Sequence, residues 1–109
     1  MTQDGAASNE PSAGRDGLKQ WGVYLLVCND ASLYAGATND LVARVRRHQA
    51  GVGSRYTRSR LPVEVVYWEP CEDRSAALKR EAAIKRLNRA AKLALIAIGE
   101  APARAPGAL

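Results

Sequence analysis

Residues 21–36, WGVYLLVCNDASLYAG, constrain this chain more than any other stretch. Two short apolar runs flank a turn cluster of Asn29, Asp30, Ala31 and Ser32. Runs rich in Val, Leu and Tyr around an Asn-Asp turn predict a β-hairpin. Each run sets a tyrosine near a glycine: Gly22-Val23-Tyr24 in the first, Tyr34-Ala35-Gly36 in the second. Glycine inside a strand removes a side chain and lets another backbone or a ligand come close. Alternation puts Trp21, Val23, Leu25 and Val27 on one face, with Gly22, Tyr24 and Leu26 on the other. Tyr34 and Gly36 share a face of the second strand. An odd number of turn residues brings Tyr24 and Tyr34 to the same side of the hairpin. An even loop without a bulge separates them, and the residues alone leave both open.

After the hairpin, Thr38 or Asn39 can cap a helix over 40–50, with Asp40 in its first turn and Gly51 as its stop. Leu41, Val45 and His48 form its packing stripe. Arg44 neighbours Leu41 and His48 on that face, whereas Arg46 and Arg47 point elsewhere. Residues 51–60, GVGSRYTRSR, read as a loop. Leu41 through Arg60 hold six arginines and no acid, with Tyr56 among them. Arginines with an interleaved aromatic suit phosphate contact and base or sugar packing. A solvated basic loop has the same composition.

Residues 62–69 predict a third strand, opened by Pro62 and ended by Pro70, near an acidic group of Glu64, Glu69, Glu72 and Asp73. Asp73 or Ser75 caps a helix over 76–87 that buries Ala77, Ile84 and Leu87. Asn88 breaks it and caps a last helix over 89–98, which buries Leu93 and Ile96. Glu81 is the single acid among seven Lys or Arg from Arg74 to Lys92. Its simplest role is an i,i+4 pair with Lys85, worth about 0.3–0.5 kcal/mol.

At 109 residues the chain supports one small domain, and 47% hydrophobic residues can supply its core. Lys+Arg 16 against Asp+Glu 11 leaves +5, a surplus that suits an anionic partner. Cys28 and Cys71 fit no metal or redox spacing and read as free thiols in a reducing compartment. With no apolar leader and no stretch long enough to span a bilayer, a cytoplasmic protein without membrane contact is expected. Residues 1–17 are expected to be a disordered tail and 99–109 a flexible one, leaving 18–98 as the folded unit.

In order along the chain stand two tyrosines on a hairpin, an arginine on the next helix and a glutamate on a later helix: Tyr24, Tyr34, Arg44 and Glu81. This set resembles the GIY-YIG nuclease family, with Ala35 standing where isoleucine is usual. YAGATNDLVARVRRH resembles that family's second tyrosine motif running into its arginine helix. RSAALKREAAIKRLNRAAKLALI resembles the C-terminal half of its small single-domain members, which are like the N-terminal nuclease domain of the excinuclease. The resemblance covers about residues 20–96. It implies an α/β fold, a small antiparallel three-stranded sheet flanked by about three helices. It implies a metal-dependent endonuclease that hydrolyses DNA phosphodiesters in repair or processing, leaving 5′-phosphate and 3′-hydroxyl ends. It casts Glu81 as the single carboxylate for Mg²⁺ or Mn²⁺, Arg44 as the phosphate fork and Tyr24 as the group taking a proton from water. Nearby cations are then expected to lower the Tyr24 pKa. Tyr34 positions water or substrate, and His48 orients the site or backs up the base. Gly22 and Gly36 are the motif glycines. Arg55, Tyr56, Arg58, Arg60 and Lys85 are the expected DNA contacts, with RNA and a targeting protein partner left open. The rival expectation is a non-catalytic nucleic-acid-binding module that keeps the fold.

Overall fold

A computed structural model of the chain describes residues 19–99. The tails expected over 1–17 and beyond Gly99 lie outside the described residues. The hairpin forms as strands β1 (Gly22–Val27) and β2 (Leu33–Thr38). Helix α1 (Leu41–Gln49) follows, then a single-turn helix α2 (Arg55–Arg58), strand β3 (Glu64–Pro70), and helices α3 (Arg74–Lys85) and α4 (Arg89–Ile98). The fold is α/β: three antiparallel strands in the order β2-β1-β3, flanked by four helices. The helix beyond the expected three is α2, which lies inside the predicted loop. No helix among the described residues is long and apolar enough to cross a membrane.

β1 lies between two partners and is covered on both faces. Val23, Tyr24, Leu25 and Leu26 are all fully buried. Burying a Leu side chain contributes about 1.5–3 kcal/mol, so this one strand anchors both halves of the core. Tyr24 and Leu26 join Leu41, Val45, Val63 and Val65 on the α1 face. Val23 and Leu25 join Ala35, Tyr67, Ala77 and Ile84 on the face covered by α3 and α4. Leu25 pairs with Tyr67 but Leu26 pairs with Val65, so β3 carries a bulge at Val66. The extra residue sends Tyr67 and Val65 to opposite faces, where simple alternation puts them together.

Several boundaries differ from the sequence expectation for local reasons. Asp40 caps α1, its carboxylate accepting from the Ala43 N–H at 3.2 Å. Thr38 ends β2 instead, and its hydroxyl accepts from the Asp40 N–H. α3 begins at Arg74 because Asp73 caps it, and it ends at Lys85. β3 starts at Glu64, leaving Pro62 outside the ladder. Leu93 is 43% exposed, because Leu95 and Ile96 are the α4 residues packed on the core. Cys28 is buried and Cys71 half-buried, and both are free.

Candidate active site

Five residues, 28–32, close the hairpin, and Tyr24 pairs with Gly36 while Leu26 pairs with Tyr34. This odd loop puts both tyrosines on the α1 face, with ring centroids 6.5 Å apart. The turn is held by Ala31 in the left-handed region and by Asp30, which accepts from the Ser32 N–H. Tyr24 lies flat across Gly36: a Cβ there would run into its hydroxyl and Cζ. The second motif glycine is therefore the floor under the phenol. Gly22 does a different job, since a Cβ there would meet the Trp68 ring and the Glu69 carbonyl.

His48 reaches the same place from α1. Its Nε2 stands 2.9 Å from the Tyr24 hydroxyl, and its ring lies edge-on to both tyrosines. Its Nδ1 stands 2.8 Å from the Thr57 hydroxyl. Burial, aided by the Arg44 and Arg47 charges, pushes the ring pKa down to about 4. His48 is thus neutral at pH 7, with both nitrogens engaged inside the protein.

That depression sets a pH dependence. The unfolded chain binds the His48 proton more readily than the folded one, so the stability contributed is complete above about pH 6.5 and is lost as pH falls toward about 4. The slope is at most about 1.4 kcal/mol per pH unit. His48→Gln is expected to flatten urea-unfolding free energies across this window. A variant slope equal to wild type would mean that His48 titrates normally in the folded protein.

Arg44 is half-buried on α1 and its guanidinium lies near the Ala37 carbonyl on β2, at 3.5 Å. Glu81 approaches from α3, on the other side of the sheet. Both charges act on Tyr24, Arg44 favouring the phenolate and Glu81 opposing it. The expected lowering of the Tyr24 pKa does not occur in the protein by itself. Desolvation outweighs Arg44, and the phenol is pushed up to about 12. Glu81 does make the pair with Lys85, at 3.2 Å, and its side chain is 20% exposed against 52% for the lysine. Among the described residues no group of three or more His, Cys, Asp or Glu side chains could hold a metal ion. Glu81 thus offers one carboxylate, which suits an ion that keeps most of its waters and uses few protein ligands.

The basic segment is more engaged than its sequence indicates. Arg60 bonds Asp30 of the hairpin turn at 3.0 Å, an acid distant in sequence, and its guanidinium lies 3.8 Å from the centre of the Tyr56 ring. Tyr56 also stacks on Tyr34, with centroids 5.8 Å apart. Arg60 and Tyr56 are therefore joined to the site's own scaffold, while Arg55 and Arg58 are exposed. Sequence reasoning missed Arg89 and Lys92 as site neighbours; with Ser32, Leu33 and Tyr56 they line an open groove of about 230 Å³. It also missed Thr57, whose signal was Ser54, an N-cap residue type able to start a helical turn.

Residues 20–94 match the GIY-YIG catalytic domain. A UPF0213 protein of Xanthomonas axonopodis pv. citri is 51% identical over 72% of this chain and 78% of its own length. One from Streptococcus sanguinis is 50% identical over 68% of this chain and 85% of its own. The solution NMR structure of a protein from E. faecalis is 37% identical, with a TM-score of 0.51, covering 75% of this chain and 91% of that one. The chain carrying this Tyr24, Tyr34, Arg44 and Glu81 arrangement belongs to the GIY-YIG family, alongside the small UPF0213 proteins.

Proposed function

We propose that this protein is a metal-dependent endonuclease that cleaves phosphodiester bonds in DNA. The observation that carries the reading is the convergence on Tyr24. His48 Nε2 stands 2.9 Å from its hydroxyl, Tyr34 lies on the same face with its ring centroid 6.5 Å away, and Gly36 forms the floor beneath the phenol.

In this reading Arg44 presents its planar fork to the scissile phosphate. Glu81 would supply the carboxylate that holds a Mg²⁺ or Mn²⁺ ion. When bound, the ion supplies positive charge at the phosphoryl oxygens and acidifies water. The Tyr24 oxygen takes a proton from the attacking water while its own proton passes to His48 Nε2, 2.9 Å away. No free phenolate is needed, so the high pKa of Tyr24 is no obstacle. Placing a proton on His48 at pH 7 costs about 4 kcal/mol in the protein alone, from its pKa of about 4. The incoming phosphate lowers that cost by its opposite charge. Tyr34 orients substrate or water beside this pair. The groove lined by Arg89 and Lys92, together with Arg55, Arg58 and Lys85, receives the phosphates of the flanking strand.

The test is nicking of duplex, branched and single-stranded DNA, with an RNA arm, in Mg²⁺ or Mn²⁺. Cleavage abolished by chelator and restored by metal is expected. The Glu81–Lys85 pair favours the non-catalytic module as the second reading. DNA binding that is indifferent to metal, without cleavage of any substrate, would select it.

The basic residues should divide. Arg55→Ala with Arg58→Ala is expected to lower DNA affinity and to flatten its salt slope by about 0.9 log unit per lost phosphate contact, with little change in stability. Arg60→Ala is expected instead to lower the melting temperature slightly, through loss of its Asp30 pair and Tyr56 contact. Equal salt slopes for wild type and the double variant would remove α2 from the binding surface.

A further inference from the structure

We infer that Thr57 is a positioning residue that holds neutral His48 in its Nδ1–H tautomer, leaving the Nε2 lone pair aimed at the Tyr24 hydroxyl. The catalytic meaning of this rests on the nuclease reading; the tautomer itself does not.

The hydrogen-bonding needs of Tyr24 set the proton placement, and those of Thr57 fit it. Tyr24 is fully buried, and His48 Nε2 is the one acceptor near its hydroxyl proton among the described contacts. Were Nε2 protonated, two donors would face each other, or the phenol proton would be left buried and unpaired. That arrangement is strongly disfavoured in a protein interior. With Nε2 bare, Tyr24 donates to it, and the phenol oxygen faces the Arg44 charge.

Thr57 is also fully buried. Its hydroxyl can donate to the Ser54 carbonyl at 3.4 Å, and the Ser54 hydroxyl lies 3.0 Å away. A proton spent there leaves a lone pair toward His48 Nδ1, which can accept the Nδ1 hydrogen. The Tyr24 end thus requires Nδ1–H and a bare Nε2, and the Thr57 end supplies an acceptor for that hydrogen. When the Tyr24 proton moves to Nε2, the ring becomes imidazolium and keeps its Nδ1–H on Thr57, so no partner need rearrange.

The local fold serves this placement. Ser54 caps α2 and accepts from the Thr57 N–H at 3.2 Å, which locks the one-turn helix that carries Thr57. Gly53 lets the chain pass against His48, where a Cβ would strike the ring. The segment 51–60 therefore closes over the histidine from behind.

The chain has a single histidine, so its ring nitrogen signals in NMR need no assignment. Long-range ¹⁵N–¹H spectra of the wild type near pH 7 should report Nδ1 protonated and Nε2 bare. Thr57→Val keeps the side-chain shape and removes the acceptor. It should leave Nδ1–H without an acceptor, shift the Nδ1 nitrogen and proton signals, and lower the nicking rate by about ten- to a hundredfold, with DNA affinity unchanged. Thr57→Ser should keep the wild-type tautomer and most of the rate. A protonated Nε2 in the wild type overturns the inference, whether or not the protein cuts DNA and whether or not the Val variant folds. A folded Val variant whose ring nitrogen signals and nicking rate match the wild type overturns it equally. Failure of the wild type to nick any substrate would fall on the nuclease reading and leave the tautomer measurement standing.

Discussion

Glu81→Gln is expected to reduce nicking by about a hundredfold or more while the melting temperature moves by only a few degrees. Gln is close to Glu in size and in helix propensity, so α3 should persist. The pair lost is with a half-exposed Lys85, and such pairs contribute under about 1 kcal/mol. If Glu81 does nothing else, Lys85→Ala should reproduce the whole effect. If Glu81 holds the metal, Lys85→Ala should weaken DNA binding but leave cleavage at saturating DNA largely intact, because the carboxylate remains. The Gln variant then lacks the carboxylate proposed to hold the ion, and transition-state charge goes unmet, a loss of about 10²–10³ in rate for comparable electrostatic groups. DNA affinity should hold or rise, since one negative charge is gone from a basic surface. Rate, melting temperature and affinity measured on the same preparations separate the two cases. Wild-type nicking by the Gln variant would remove Glu81 from the chemistry.

Gly36→Ala is expected to destabilise the protein by about 1–3 kcal/mol and to cut activity with it. The sign is the informative part. Alanine replacing glycine in a strand ordinarily gains about 0.5–1 kcal/mol through the unfolded chain. Here the new methyl would enter the space of the Tyr24 phenol, which is fully buried between α1 and the sheet and cannot swing into solvent. For a domain of this size the melting temperature should fall on the order of 10 °C. The hydroxyl should also leave His48. Tyr24→Phe combined with Gly36→Ala should cost less than the two single changes added together, since it removes one of the clashing atoms. A Gly36→Ala variant as stable as wild type would mean that the phenol does not rest on Gly36.

Much of this architecture was legible without coordinates. The faces of β1 follow from strict alternation, and Tyr24 with Leu26 does separate from Val23 with Leu25. Leu41, Val45 and His48 recur at helical spacing, and all three are buried. Asn88 caps α4, its side chain accepting from the Ala91 N–H at 2.8 Å. α4 was less readable, because Leu93, Leu95, Ile96 and Ile98 leave no single apolar stripe. Packing then selected Leu95 and Ile96 and left Leu93 at the surface.

What the sequence by itself determined was the kind and order of the elements, together with the residues available for chemistry. These depend on periodicity, caps and turns, which act within a few residues. Only the tertiary structure decided how those residues meet. The turn could close with either parity until its five residues were paired, and that parity placed Tyr24 beside Tyr34. Arg60 found its acid thirty residues away at Asp30. His48 met Tyr24 across twenty-four residues and Thr57 from a turn that local pattern had assigned to loop. The ionisation of the site was equally out of reach. Residue types pointed to cations lowering the Tyr24 pKa, but its value is set first by desolvation. Desolvation depends on everything packed around a group, and chain neighbours are only a small part of that.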